Sequence, residues 1–264
     1  MRKIRFAVIG TSGIAPGHIH AIQNNPKAEV IYIYSRDIKR AQELAKHFKL
    51  IPTRTFEEIL SDKTIDAIDI VTEPSRHAIL ALEAIKNGKH LLIEKPLDID
   101  IVMAEKVMVA ASKSPTLTTV ISQKRFETEI INMKKELDNK KIGEPYLAEA
   151  KLFWKRSNEY YSKGNGWRGK EGNVLINQGI HWVDIAIWFF GLPTKIRSLN
   201  LKVKKEISCY DTAICCLEFS NNILFNLTCS TATHISQADE FKIYGTNGIL
   251  DYLTLPPKTG QFTS

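Results

Sequence analysis

The sequence predicts an α/β region built on a parallel sheet, followed by an α+β region with a mostly antiparallel sheet. Up to residue 122, strand-like segments alternate with helical ones, which is typical of β-α-β units. The strand-like segments are apolar without polar alternation, as in a sheet that is buried on both faces. After residue 122 the alternation stops, and a strong helical segment precedes a run of strands. We therefore expect two domains, which cover residues 1–122 and 123–264.

The first region contains short apolar runs, each of a length that suits one strand. They cover residues 4–10, 29–35, 65–72, 90–96 and 117–122. Segments of helical pattern lie between them and cover residues 17–25, 37–48, 76–88 and 100–113. Ligands of such doubly wound sheets bind beyond the carboxyl ends of the strands, so candidate site residues are expected there.

The second region has a different pattern, with fewer helices and more strands. Its helical segments cover residues 126–139 and 173–191. Its strand-like segments cover residues 146–154, 196–204, 211–219, 222–230 and 239–244. This order favours helices packed on one open, mostly antiparallel sheet.

Composition and charge exclude several classes of protein. The chain has 264 residues and a net charge of +7, but its lysines are scattered, which argues against a nucleic-acid site. No apolar run is long enough to span a bilayer, and the amino-terminal segment resembles a first strand more than a signal peptide. We therefore expect a cytoplasmic protein without membrane contacts. Attraction of a small anionic substrate remains open.

The four cysteines lie in the last quarter of the chain. They are Cys209, Cys215, Cys216 and Cys229, and none forms a Cys-x-x-Cys pair. Structural thiols are therefore favoured over disulfides or a metal site.

The turn after the first strand is rich in glycine and precedes a helix. Its pattern is Gly10-x-Ser12-x-x-Ala15, with Gly13 and Ile14 inside it. Turns of this kind bring the backbone close to a pyrophosphate at the helix N-terminus. The position favours a nucleotide site, although serine replaces the middle glycine of the usual motif. An ordinary tight turn is the alternative.

The second strand ends with Ser35-Arg36, and an acid follows only at Asp37. NAD-binding folds usually have an acid at the strand end for the ribose hydroxyls. Serine and arginine could instead hold a 2′-phosphate, which makes NADP acceptable as well as NAD. Alternatively, Asp37 caps the next helix and Arg36 is solvated.

Two further patterns could carry chemistry. Glu94-Lys95-Pro96 ends the fourth apolar run, where a cofactor or substrate would bind. Asn177, His181 and Asp184 are spaced to share one face of a later helix. His181 could transfer a proton near neutrality, or could be a structural histidine held by Asp184. No third ligand accompanies this histidine and aspartate, so no metal is expected.

The loop at residues 154–169 combines aromatic rings with arginines. It contains Trp154, Arg156, Tyr160, Tyr161, Trp167 and Arg168. Aromatic faces and guanidinium groups suit sugars and anions. The alternative is a surface loop packed by its own aromatic side chains.

Together these segments resemble the Gfo/Idh/MocA family, which includes glucose–fructose oxidoreductase and inositol dehydrogenase. The resemblance rests on VIGTSGIAPGH (8–18), VTEPSRH (71–77), IEKPL (93–97), WKRSNEYY (154–161) with GWRG (166–169), and NQGIHWVD (177–184). It implies a Rossmann domain and an NAD(P)-dependent oxidoreductase of sugars or cyclic polyols. It also implies a homodimer or homotetramer formed through the open sheet of the second domain. Members usually continue beyond residues 245–252, so part of that domain is expected to be absent.

The resemblance also implies roles for individual residues. Lys95 and His181 are the expected catalytic pair, on either side of the reacting carbon. The expected cofactor contacts are Gly10, Ser12, Gly13, Ile14, Ser35, Arg36, Thr72, His77, Glu94 and Lys95. The expected substrate contacts are Asn177, Asp184, Arg156, Tyr161, Trp167 and Arg168. Many members have an aspartate where this chain has Asn177, which cannot transfer a proton but can orient a hydroxyl.

The expected reaction is hydride transfer between nicotinamide and a secondary alcohol carbon of a sugar, nucleotide sugar or cyclic polyol. One alternative is a diol or imine reductase of the same family. Another is a regulator that binds NAD(P) without catalysis, although such a protein would need neither Lys95 nor His181.

Overall fold

The computed structural model describes residues 2–254 of the chain. Contacts divide these residues into two compact units, of which the first ends at Ile121 and the second begins at Ser122. The final ten residues of the expected second domain lie outside the described residues.

The first unit is built on six parallel strands in the order β3-β2-β1-β4-β5-β6. They are β1 (Ile4–Ile9), β2 (Ala28–Tyr34), β3 (Ile51–Thr53), β4 (Ala67–Ile70), β5 (His90–Ile93) and β6 (Thr118–Val120). The order reverses between β1 and β4, which opens a crevice at their carboxyl ends. All four residues of β4 are buried, as expected for a sheet covered on both faces. The prediction of a doubly wound parallel sheet is confirmed.

Five α-helices connect these strands. They are α1 (Ala15–Gln23), α2 (Ile38–Phe48), α3 (Phe56–Ser61), α4 (His77–Lys86) and α5 (Ile101–Ser112). Asp37 and Asp100 begin α2 and α5, because each carboxylate accepts a hydrogen bond from a backbone N–H of the first turn. β3 and α3 were not predicted from the sequence, because both are too short to show a hydrophobic period.

The second unit packs helices on one face of a mixed sheet of order β12-β11-β7-β10-β9-β8. Its helices are α6 (Thr128–Asp138), α7 (Asn158–Ser162) and α8 (Ile180–Phe190). Its strands are β7 (Pro145–Phe153), β8 (Pro193–Leu201), β9 (Thr212–Phe219), β10 (Leu224–Ser230), β11 (Glu240–Gly245) and β12 (Gly248–Leu253). Among the strands that the structure describes, only the β7–β10 pair of this sheet is parallel, so the mostly antiparallel sheet is confirmed.

The core of the second unit lies between α8 and the sheet. Trp182 is fully buried and stacks on Phe241, with ring centroids 5.1 Å apart. Ile185, Ala186 and Phe189 continue the same buried face of α8. The predicted helix at 173–191 is therefore present, but it is not regular throughout. Residues Leu175–Gly179 form a π-helical turn, a feature that often occurs at functional sites.

No helix within residues 2–254 has the length and apolar character needed to cross a membrane.

Candidate active site

Close approach of the chain just after β4 explains the glycine that follows β1. Gly10 has φ +118°, and a Cβ there would lie 2.9 Å from both the carbonyl carbon and the oxygen of Val71. A side chain at this position would therefore be strained and would clash with backbone. The hydroxyl of Ser12, which replaces the middle glycine of the motif, donates to the same Val71 oxygen at 2.7 Å.

The rest of this turn is open. Gly13 and Ile14 are exposed, and no atom lies within 4 Å of a Cβ built on Gly13. Helix α1 begins directly afterwards at Ala15. An exposed turn before a helix N-terminus fits a nucleotide pyrophosphate, because backbone N–H groups and the helix dipole favour an anion there.

At the end of β2, three neighbouring residues have three different environments. Ser35 is buried, and its hydroxyl oxygen lies 3.3 Å from that of Thr11. Arg36 donates to Glu73 at 2.5 Å, while Asp37 caps α2. Of the two alternatives for Asp37, the structure places it as the cap. Arg36 is exposed but forms an ion pair, so the residue that would meet a 2′-phosphate already has an acidic neighbour.

Two predicted cofactor residues follow β4. Thr72 continues the chain from the strand end, and its hydroxyl donates to the carbonyl of Glu73 at 3.3 Å. His77 is almost fully buried, with ring nitrogens 2.8 Å from the carbonyl oxygen of Pro96 and 3.1 Å from that of Thr72. His77 therefore ties the turn after β4 to the turn after β5. Its direct contact with a cofactor stays a prediction.

The turn after β5 carries Glu94 and Lys95. The backbone N–H of Glu94 continues the sheet by donating to Ile70, and Oε2 of Glu94 accepts from the N–H of Lys95 at 3.1 Å. Oε1 lies 3.2 Å from Nε2 of His18 on α1. The carboxylate of Glu94 is thus held through both of its oxygens.

Sequence reasoning missed His18 and Asp69, which complete this arrangement. Nδ1 of His18 lies 2.9 Å from Oδ2 of Asp69, a fully buried residue of β4. The available signal was Asp69, the second acid of the apolar segment IDAIDIVT (65–72), because a carboxylate buried within a strand needs a partner. The sequence alone does not show which residue supplies that partner.

This buried group of charges shifts the pKa values of its members. Burial alone would lower the pKa of His18, but its hydrogen bonds to Asp69 and Glu94 and the charges of both raise it to about 9. Burial raises the pKa of Asp69, against the opposing effect of His18. Both groups therefore hold their protons more tightly than in an unfolded chain.

In the second unit, the polar residues of the α8 segment include Asp184, Asn177 and His181. The carboxylate of Asp184 accepts from Nε and Nη2 of Arg125, at 2.8 and 2.6 Å. Asn177 lies in the π-helical turn and donates to the carbonyl of Glu171 at 3.3 Å. His181 lies in the first turn of α8 and is half-buried. The π-helical turn means that Asn177 does not share a regular α-helical face with His181 and Asp184. The roles predicted for these three residues stay predictions.

Two arginines of the 154–169 loop lie against one tyrosine ring. The guanidinium carbon of Arg156 is 4.9 Å from the ring centroid of Tyr160, and that of Arg168 is 5.1 Å from it. Arg156 also contacts Trp154, and Arg168 contacts Trp167 at 4.3 Å. We call these five residues the arginine–aromatic cluster.

Both arginines are half-buried, yet neither forms an ion pair with a carboxylate among residues 2–254. Nε of Arg156 is buried and has no hydrogen-bond partner within the described part of the chain. Cation–π contacts compensate part of this cost. The cluster therefore has unused capacity for an anion.

A small cleft of the second unit lies beside the cluster. Its lining includes Tyr160, Arg168, Asn173, Asn177, Gln178 and Tyr210. The amide of Gln178 donates to the hydroxyl of Tyr160 at 2.6 Å, which fixes the ring between the arginines. Tyr161 is mostly buried, and its hydroxyl oxygen lies at hydrogen-bond distance, 2.6 Å, from that of Thr231. Burial raises the pKa of Tyr161 to about 12. Tyr161 also lines the cleft.

The part of the chain that the structure describes holds no group of three metal-binding side chains. All four cysteines are free thiols.

Comparison with known proteins extends over both units. The model of the oxidoreductase family with an NAD-binding Rossmann fold matches residues 4–122, and that of the GFO/IDH/MocA C-terminal domain matches residues 130–251. The chain is 24% identical to scyllo-inositol 2-dehydrogenase (NAD(+)) of Bacillus subtilis, over 96% of this chain and 75% of that protein. It is 26% identical to glucose-6-phosphate 3-dehydrogenase of the same organism, over 78% of this chain and 59% of that protein.

A solved structure shares the fold. The WlbA dehydrogenase of Bordetella pertussis, in complex with NADH and UDP-GlcNAcA, matches with a TM-score of 0.92. The match covers 97% of this chain and 79% of that one, at 24% identity. The two family models together span most of the described residues. The chain therefore belongs to the GFO/IDH/MocA family of NAD-binding oxidoreductases.

Proposed function

We propose that the protein is an NAD-dependent dehydrogenase that oxidises or reduces one carbon of a negatively charged sugar, such as a sugar acid, sugar phosphate or nucleotide sugar. The observation that carries this proposal is the arginine–aromatic cluster. Two half-buried guanidinium groups lie about one tyrosine ring, and no described carboxylate pairs with either.

The charge argument follows from the cost of burial. Cations removed from water are normally paired, and a guanidinium fork matches the geometry of a carboxylate or phosphate. Aromatic faces beside it suit the apolar side of a pyranose ring. A neutral sugar would use the rings but leave both guanidinium groups without an anion at ion-pair distance, although the charge of Arg156 also acts on the buried carboxyl of Asp239. An anionic sugar uses both features.

The comparisons support the same substrate class. One relative is named for a sugar phosphate, and one solved neighbour holds UDP-GlcNAcA beside NADH. Another relative is named for scyllo-inositol, which is neutral. The substrate of this chain is therefore inferred from its own arginines and not from any one relative.

For the chemistry, NAD supplies a hydride acceptor at the nicotinamide. His181 is proposed to take the hydroxyl proton as the carbinol carbon loses hydride, since imidazole exchanges protons near neutral pH. Lys95 is proposed to donate a hydrogen bond to the same oxygen and to stabilise its developing charge. Asn177 and Asp184 are proposed to orient the substrate, with Asp184 itself held by Arg125.

For the cofactor, we propose NAD as the main partner, with NADP tolerated. Ser35 and Arg36 replace the usual acid, which permits a 2′-phosphate. Glu73 opposes it, because its carboxylate lies 2.5 Å from Arg36. An exposed ion pair of this kind contributes only about 0–1 kcal/mol, so a phosphate could displace it.

The outer face of the second sheet supports the proposal of a homo-oligomer. By register, one face carries five exposed apolar residues from four strands, namely Leu199, Ile214, Leu224, Ile249 and Leu253. The same face carries cross-strand ion pairs such as Lys151–Glu240, at 3.2 Å. An apolar face of this extent favours contact with a second copy. Light scattering of the intact protein tests this expectation, and a monomer would contradict it.

The test of substrate charge uses matched pairs of sugars with NAD and NADP. We expect turnover of a uronic acid, sugar phosphate or UDP-linked sugar acid, and weak turnover of its neutral analogue. Arg168→Ala should lower kcat/KM for the anionic sugar about ten- to a hundredfold, the usual cost of a hydrogen bond to a charged group. The neutral analogue should change little.

Lys163→Ala is the matched control. Lys163 lies in the same loop, but it is exposed and paired with Glu159 at 2.9 Å. Equal loss for charged and neutral sugars in Arg168→Ala would contradict the charge-recognition role. Binding of NAD without turnover of any sugar would favour a regulator.

A further inference from the structure

His18 lies among two carboxylates at the carboxyl edge of the first sheet. Asp69 on β4 is fully buried, and the side chains of His18 and Glu94 are each only 13% exposed. The ring spans the two acids, with Nδ1 2.9 Å from Asp69 and Nε2 3.2 Å from Glu94. Three elements, α1, β4 and the turn after β5, therefore meet at one imidazole.

The donor count decides the charge of this ring. A neutral imidazole has one N–H and one acceptor nitrogen, whereas the imidazolium donates from both nitrogens. Ionised carboxylates only accept hydrogen bonds. When both acids are ionised, the two carboxylates that face the two ring nitrogens are satisfied only by the cation. In a neutral ring, the lone pair of one nitrogen would face a carboxylate oxygen, in a site almost closed to water.

The far side of Glu94 connects this cation to the turn. Oε1 of Glu94 faces His18, and Oε2 accepts the backbone N–H of Lys95 at 3.1 Å. Rotation of the carboxylate would break both contacts together. The orientation of Glu94, and with it the backbone of Lys95, therefore depends on the ring.

We propose that His18 is a positioning residue whose imidazolium bridges Asp69 and Glu94 and thereby fixes the turn that carries Lys95. The proposal deepens the function proposed above, because it gives a reason for the placement of Lys95. His18 itself acts only through Glu94. Asp69 anchors the ring from the buried side, and Glu94 transmits its position to the turn.

The surrounding charges agree with this arrangement. Asp69 from β4 and Glu94 from the turn after β5 are the charged groups that act on the ring, and together they hold its pKa near 9. The cation should therefore persist through the neutral range. At higher pH the ring loses its proton, Glu94 loses one hydrogen bond, and the Lys95 turn is released.

The test follows two nuclear magnetic resonance signals of the intact protein against pH, without any substrate. One is the ring of His18, assigned by its loss in His18→Gln. The other is the backbone amide of Lys95. We expect both to titrate together with a midpoint near 9, against about 6.5 for an unconstrained histidine. The titration of the Lys95 amide should disappear in His18→Gln.

His20→Gln is the matched control, because His20 lies on the same helix but is exposed. It should leave the Lys95 titration unchanged. Glu94→Gln should uncouple the Lys95 amide from His18 even though the ring is intact. The proposal is overturned if His18 titrates near 6.5, or if the Lys95 amide does not follow it.

Where His18→Gln does not fold, the titration of the native protein still decides the matter. The outcome is also independent of the proposed reaction. If Lys95→Ala keeps full activity, the catalytic role of Lys95 fails, but the coupling of His18 to the turn is measured all the same.

Discussion

The bridge at His18 should make the stability of the first unit depend on pH. The ring has a folded pKa of about 9 and an unfolded value of 6.5. A group whose pKa is raised by folding stabilises the protein fully below its unfolded pKa, and that contribution is lost as pH rises through the folded pKa. Because each unit of difference between the folded and unfolded pKa is worth about 1.4 kcal/mol, His18 contributes about 3 kcal/mol to the free energy of unfolding at low pH.

The pKa of Asp69 is also raised, so its effect on stability has the same sign. Between pH 6 and pH 9.5, we therefore expect the free energy of unfolding of the native protein to fall by about 3 kcal/mol more than that of His18→Gln. The variant should be less stable than the native protein at pH 6. The two should approach each other at pH 9.5.

Urea denaturation followed by two signals measures this effect. All four tryptophans, at positions 154, 167, 182 and 188, lie in the second unit. Fluorescence therefore reports on the second unit and serves as an internal control, while far-ultraviolet circular dichroism also reports on the first. Parallel stability curves for native protein and variant across this pH range would refute the reasoning.

Three further predictions concern single side chains. Gly10→Ala should impair folding and NAD affinity, because the added Cβ meets the Val71 backbone, whereas Gly13→Ala should fold normally. Thermal unfolding and NAD titration distinguish the two variants, and equal behaviour of both would contradict the explanation. Glu73→Gln should raise NADP affinity by up to about fivefold, since it frees the arginine beside it, and an unchanged ratio of NADP to NAD affinity would show that this ion pair has no influence. Trp182→Ala should destabilise the second unit by about 3–5 kcal/mol in urea denaturation, as its fully buried ring stacks in the core; a loss below about 1 kcal/mol would argue against that packing role.

Much of the first unit could be predicted because its strands are apolar runs separated by helices of ordinary length. The elements that were missed are short. β3 has three residues and includes Pro52, and α3 has six residues, so neither shows a period. The irregular start of the α8 segment was missed because NVLINQGIHWVD (173–184) has the spacing of a regular helix. The π-helical turn contains Gly179, where a Cβ would lie 3.0 Å from the side chain of Leu227, and such a close approach between distant residues is not visible in sequence.

The candidate site was predicted in part for a related reason. Motifs of adjacent residues, such as Glu94-Lys95-Pro96, mark the strand ends where ligands bind. Partners distant in sequence are not visible in this way. His18 meets Glu94 across 76 residues, and Arg125 meets Asp184 across 59. The buried acid Asp69 signalled that a partner exists, and only the fold shows that it is His18.

The proposed reaction moves hydride between nicotinamide and a carbon of an anionic sugar. The most direct measurement follows deuterium from ring-deuterated UDP-GlcNAcA, uronic acids and sugar phosphates into NADH, by mass spectrometry and proton resonance at nicotinamide C4. The account predicts transfer of one deuterium per turnover from an anionic sugar, with Lys95→Ala and His181→Ala each slower by at least about a hundredfold. Deuterium transfer from neutral sugars alone, or full activity in both variants, would contradict it.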